Sequence, residues 1–96
     1  MLTRYFVTYD ICAPDRLRRV YELMRGFGDH MQYSVFRCDL SDRQIERMKL
    51  QLEREIKADE DQVLIIDIGP SDGRGSECVS ALGLAYTHPE RHAVVV

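Results

Sequence analysis

Residues 3–10, Thr-Arg-Tyr-Phe-Val-Thr-Tyr-Asp, decide how the rest of the chain is read. β-branched and aromatic side chains dominate this stretch, the composition of a strand packed on both sides. It ends on a carboxylate, Asp10, followed by Ile11-Cys12-Ala13-Pro14. Pro14 offers no ladder N–H and suits the first turn of a helix. A buried strand that delivers an acid at its carboxyl end, just before a helix, is a common place for chemistry. Asp10 is therefore the first candidate, and its bland alternative is an Asp that caps the helix opening at Pro14.

Outward from that strand, Leu17, Val20, Tyr21, Met24 and Phe27 form one apolar stripe, which predicts a helix over about 14–26. Gly26 and Gly28 bracket Phe27 and are expected to supply a left-handed stop. Met31–Asp39 reads as a second strand, and Ser41-Asp-Arg-Gln44 as a capping box. The helix it opens carries the stripe Ile45, Met48, Leu52, Ile56 and is expected to end near Ala58. Glu60-Asp61 marks a break. Gln62–Ile68, the most apolar run, is expected to be the central strand. To that point the pattern runs β-α-β-α-β.

The remainder changes texture. Residues 69–76 are loop, and no Gly-Lys-Ser/Thr follows their glycines to make a phosphate cradle. Glu77–Leu82 is expected as a short strand, His88-Pro89-Glu90 as a turn and Ala93–Val96 as a final strand. The short connections, such as Gly28-Asp29-His30, place both helices on one face of the sheet. The fold class that follows is α+β: a ferredoxin-like plait of βαββαβ type with an antiparallel sheet. A small doubly wound parallel sheet is the competing architecture. In the plait the second sheet face has no helix; Phe6, Thr8 and Asp10, with Ser34 and Phe36, are expected there. A homodimer through the sheet side is the simplest cover for such a face.

Ninety-six residues make one domain with a thin core, burying roughly 60–65% of the unfolded surface. No apolar run approaches a membrane span, and the start Met1-Leu2-Thr3-Arg4 lacks an apolar signal region. Cys12, Cys38 and Cys78 are odd in number and widely spaced, which fits reduced thiols in the cytoplasm. The net charge of −3 argues against non-specific coating of nucleic acid. Arg16, Arg18, Arg19 and Arg25 nevertheless face only Glu22 between residues 16 and 25, so the first helix is a candidate phosphate-binding face. The plain alternative is a solvated helix face.

A single Asp10 is a poor site for a hard cation, but a two-fold axis beside it would pair two carboxylates. Mg²⁺ accepts such a pair and keeps waters for phosphodiester hydrolysis. His88 and His92, with Cys78, make a weak metal set because Pro89 interrupts the helical register. The carboxylate near Cys12 disfavours its thiolate. Tyr9 and Tyr33 read as packing residues, with base stacking as the alternative.

Val7-Thr-Tyr-Asp-Ile11, the Arg-Leu-Arg-Arg-Val run at 16–20, and Gly28 followed by Gln32-Tyr-Ser-Val-Phe36 closely resemble the CRISPR-associated Cas-two family. The likeness covers roughly residues 3–69, and Tyr9, Asp10, Arg19, Ser34 and Phe36 match its pattern. The resemblance implies a ferredoxin-like homodimer with Asp10 at the subunit interface as catalytic residue and ligand of a shared Mg²⁺. Arg16, Arg18 and Arg19 become candidate nucleic-acid contacts, and Tyr9, Ser34 and Phe36 interface or support residues. It further implies spacer acquisition with the Cas-one integrase, and either metal-dependent cleavage of single-stranded RNA or duplex DNA or a purely bridging role. The C-terminal strand would pair with the partner subunit. One departure is Cys12-Ala13, where family members often carry a polar or acidic residue.

Overall fold

β1 (Thr3–Asp10) pairs antiparallel with both β3 (Val35–Leu40) and β4 (Gln62–Pro70), so the opening stretch is an interior strand. The structure, a computed structural model, describes residues 1–73 and 77–86. Helix α1 (Pro14–Arg25), strand β2 (Asp29–Gln32) and helix α2 (Asp42–Glu55) complete the order β-α-β-β-α-β. The four strands stand in the order β2-β3-β1-β4, every pairing antiparallel. This is the ferredoxin-like plait. The expected strand at Ala93–Val96 and the turn at His88-Pro89-Glu90 lie outside the described residues.

Strand alternation sorts the two faces. Val7 and Tyr9 of β1 share a core with Phe36, Cys38 and Leu40 of β3. Val20 and Met24 of α1 and Ile45, Met48 and Leu52 of α2 complete it, so both helices cover one face. α2 begins at the capping box read from the sequence: Ser41 Oγ accepts from Gln44 N at 3.2 Å, and Gln44 Oε1 accepts from Ser41 N at 2.8 Å. The helix ends at Glu55, slightly before the expected Ala58.

Several expectations are corrected. Residues 31–39 are not one strand, because Tyr33 and Ser34 turn the chain between β2 and β3. Tyr33 adopts φ +37°, the left-handed region usually left to Gly or Asn in two-residue hairpins, so no turn dipeptide announced it. β4 is an edge strand rather than the central one. Its continuous apolar run arises because Val63 and Ile65 pack on the core while Leu64 and Ile66, 49% and 44% exposed, stand on the other face. Phe36 faces the helices, since its partner in register is Val7, and it is fully buried. The helix-free face instead carries Phe6, Thr8, Val35, Leu64 and Ile66.

The α1 stop is also different. Gly26 is right-handed at φ −76°, and neither it nor Gly28 has positive φ. Gly28 is needed for room: a Cβ there would lie 2.4 Å from Arg37 O and 2.5 Å from Cys38 Sγ. Residues 77–86 follow without a ladder, so the strand expected over Glu77–Leu82 is absent. Tyr86 Oη lies 3.5 Å from Arg37 Nη1 on the helix-free face. At the far end of that face, Arg4 Nε donates to Asp39 Oδ1 at 2.8 Å, and Ser71 Oγ donates to the same oxygen at 2.7 Å.

Candidate active site

Asp10 closes β1 opposite Gln62 of β4, and its side chain is exposed. Alternation puts it in line with Phe6 and Thr8, at the rim of the helix-free face. The helix-cap alternative fails, because the N-cap of α1 is Ala13 and no side chain caps that helix. Among the described residues no hydrogen bond or ion pair engages the Asp10 carboxylate. A charge without a structural task, at the end of an interior strand, is available for a ligand.

The loop after Asp10 is held from the far side of the fold by Asp61. Its side chain is fully buried, yet both oxygens are used. Oδ1 accepts from Cys12 N at 2.9 Å and from Arg16 Nη2 at 3.2 Å. Oδ2 accepts from Arg16 Nε and from Lys57 N, each at 2.8 Å. Glu60 extends the cluster, accepting from Arg16 Nη2 at 3.1 Å and from Lys57 Nζ at 2.8 Å. The hydrogen bonds from Arg16, aided by the Cys12 and Lys57 amides, hold the Asp61 carboxyl far below the usual range against the cost of burial. The same bond raises the Arg16 guanidinium. Glu60 is lowered by Lys57 first and Arg16 second. Sequence reading located Glu60-Asp61 only as a break; a buried acid that bonds backbone across 49 residues leaves no local pattern.

The three candidate phosphate contacts therefore differ. Arg16 is committed to Asp61. Arg19 pairs with Glu55 of α2 at 2.9 Å. Arg18, 75% exposed, has among the described residues only the neighbouring Asp15 at 3.8 Å, the kind of surface pair that contributes little. Of the three, Arg18 is the arginine least held by its partner.

Tyr9 and Phe36 belong to the core, their rings stacked with centroids 6.2 Å apart. Burial, with a smaller contribution from Tyr21, raises the Tyr9 hydroxyl above its usual value. Tyr9 N donates to Ser34 O at 3.1 Å, which fastens the residue before Asp10 to the β2–β3 turn. Tyr9 and Phe36 thus pack beneath the Asp10 end of β1 from the helix side, and Ser34 holds it through its backbone carbonyl.

The donor set bears on which metal could bind. Among the described residues no three His, Cys, Asp or Glu side chains cluster as a metal cage. His88 and His92 lie outside the described residues. One exposed carboxylate per chain does fit Mg²⁺, which is held by one or two carboxylates and otherwise by water.

A four-stranded antiparallel plait with two helices on one face and a free acid ending its first interior strand defines the class: a ferredoxin-like protein with its candidate site at the sheet rim. The chain belongs to the family of CRISPR associated protein Cas2, whose family model matches residues 1–73. It is 38% identical over 92 residues to the CRISPR-associated endoribonuclease Cas2 of Geobacter sulfurreducens, covering 96% of each chain. It is 46% identical over 86 residues to CRISPR-associated endoribonuclease Cas2 2 of Thermodesulfovibrio yellowstonii, covering 90% of this chain and 89% of that one. Among solved structures, Streptococcus pyogenes Cas2 superposes with a TM-score of 0.73 at 28% identity, covering 83% of this chain and 99% of that one. A hypothetical protein of Thermus thermophilus gives 0.77 at 25% identity, covering 91% and 98%. No helix among the described residues is long and apolar enough to cross a membrane.

Proposed function

We propose that the protein is a dimeric CRISPR-adaptation subunit that cleaves phosphodiester bonds, with Asp10 from each protomer holding a shared Mg²⁺. The observation that carries this reading is the free, exposed Asp10 at the rim of an apolar face without a helix. Leu64, Ile66 and Phe6 favour a second copy on that face. Two-fold pairing there brings each Asp10 towards the interface, where two carboxylates make a donor set that one lacks. The relatives named endoribonuclease support the same chemistry.

In this mechanism the chain's own residues do three things. Asp10 carboxylates supply the negative charge that holds the cation. Arg18, and Arg19 once released from Glu55, contact the nucleic-acid backbone. Tyr9, Ser34 and Phe36 keep the end of β1 rigid. When bound, Mg²⁺ lowers the pKa of a water and stabilises charge developing on the phosphate. The substrate is single-stranded RNA or duplex DNA, and the setting is cytoplasmic, in keeping with three cysteines, Cys12, Cys38 and Cys78, that are odd in number and widely spaced.

A second reading is a non-catalytic scaffold that bridges DNA beside the Cas-one integrase. It is favoured by Cys12-Ala13, which leaves no second acid in the loop after Asp10. An Mg²⁺ titration of cleavage on both nucleic acids separates the two, with Asp10→Ala as control. Cleavage that requires Mg²⁺ and Asp10 supports the enzyme; DNA binding with no such cleavage leaves the scaffold.

A further inference from the structure

Asp61 and Arg16 stand where the loop that follows Asp10 meets the α2–β4 loop. Asp10 is followed by Ile11, which is buried, and then by Cys12, whose amide is bound to Asp61 Oδ1 at 2.9 Å. Cys12 Sγ also lies 2.9 Å from Glu60 O. Asp61 is in turn fixed by Lys57 N at 2.8 Å and by the Arg16 guanidinium on both oxygens. α1 has no side-chain cap of its own, and Pro14 brings no N–H; Asp61 reaches the helix through the Arg16 side chain. Arg16 lies on the first turn of α1. The buried carboxylate thus joins three backbone segments, two residues from the Asp10 carboxylate and with no direct contact to it.

We infer that the Arg16–Asp61 pair positions Asp10, fixing the direction of its carboxylate through the Cys12 amide, and that Arg16 is not a phosphate contact. The inference rests on the proposed Asp10 chemistry for its activity readout but not for its structural one. Groups that orient a metal-holding side chain without touching the metal typically change affinity or activity by about 10–100-fold when removed. A phosphate-contacting arginine behaves differently: its loss weakens substrate binding and flattens the salt dependence.

The test uses the full chain as wild type, Arg16→Ala and Asp61→Asn, with Asp10→Asn as control. Cleavage of single-stranded RNA is followed against RNA and Mg²⁺ concentration, and amide hydrogen exchange at Cys12 is followed in metal-free protein. Arg16→Ala should leave KM for RNA and the salt slope near wild type. It should lower kcat, or raise the Mg²⁺ midpoint, by about 10–100-fold, and accelerate Cys12 exchange. Asp61→Asn should do the same; if it does not fold, Arg16→Ala alone decides, since Arg16 is partly exposed and its loss leaves Asp61 bonded to two amides. Arg16→Lys, which keeps the charge but not the fork, should recover part of the loss. A raised KM with flattened salt slope and intact kcat would overturn the inference, as would unchanged Cys12 exchange in Arg16→Ala. Wild-type protein without Asp10-dependent cleavage would refute the proposed chemistry instead, and Cys12 exchange with Mg²⁺ titration calorimetry would then decide the positioning.

Discussion

Phe36 stands directly opposite Val7 in the register of β3 and β1, and both are fully buried beneath the helices. That pairing fixes the opposite parity as well: Phe6, Thr8 and Asp10 must lie on the face without helices. The location of the candidate acid is thus a consequence of which aromatic the core takes. Phe36→Ala should cost about 3–5 kcal/mol of folding stability, whereas Phe6→Ala should act mainly on association. Urea unfolding of the two variants checks the difference, and equal losses would contradict the face assignment.

The helix-free face predicts a dimer at micromolar concentration. Leu64→Asp should shift it to the 11.2 kDa monomer, with the secondary structure unchanged. The outer edge of β4 carries no strand among the described residues. Deleting residues 92–96 should therefore also weaken association, if that segment pairs with the partner's edge. Sedimentation equilibrium measures both, and a wild-type monomer would refute the interface.

Gly28 is predicted to be intolerant of a methyl group. Its Cβ would meet backbone oxygen and carbon of Arg37 at 2.4 and 3.0 Å, atoms that cannot rotate away. Gly28→Ala should destabilise by roughly 1–3 kcal/mol, seen as a lower urea midpoint. A neutral substitution would mean that Gly28 packs less tightly on Arg37 and Cys38 than these distances imply.

The Asp61 cluster predicts acid sensitivity. Its folded-state carboxyl lies below the ordinary value of 3.8, so its contribution is complete above that value and is lost as the pH falls from there towards the lower folded-state value. Glu60 acts in the same direction. So does Asp39, where burial pushes the carboxyl up but hydrogen bonds from Arg4 and Ser71 outweigh it. Stability measured by denaturation should stay level from these groups between pH 7 and about pH 5 and decline below about pH 4. Asp61→Asn should lower the plateau and flatten the decline.

Among the helix-one arginines, Arg18→Ala should reduce the log–log salt slope of duplex binding by about 0.9, and Arg16→Ala should leave it unchanged. Salt titration of binding by fluorescence anisotropy distinguishes them. The reverse ranking would return Arg18 to the solvated surface.

Much of this architecture is legible in the residues. β1 and the start of α1 follow from β-branched composition and Pro14, and the capping box at Ser41 fixes the start of α2 through two hydrogen bonds that any Ser-x-x-Gln can make. The β2–β3 turn was hidden because Tyr33 takes a left-handed conformation without Gly or Asn. β4 looked central because an edge strand with apolar side chains on both faces has the same composition as an interior one. Asp10 was legible as the end of a strand, but its freedom from capping was not, since nothing in the sequence says that the N-cap falls on Ala13, whose side chain cannot cap. Arg16 looked like its neighbours Arg18 and Arg19 because a run of arginines does not reveal which of them meets a buried acid.

The central claim is that Asp10 is free to hold a metal for phosphodiester cleavage. Asp10→Asn retains size and hydrogen-bonding capacity while removing the charge a cation needs. The protein should remain dimeric, bind duplex DNA normally in EDTA, and lose Mg²⁺-dependent cleavage of single-stranded RNA and duplex DNA by orders of magnitude. Cleavage at the wild-type rate in rigorously purified Asp10→Asn protein would contradict the account.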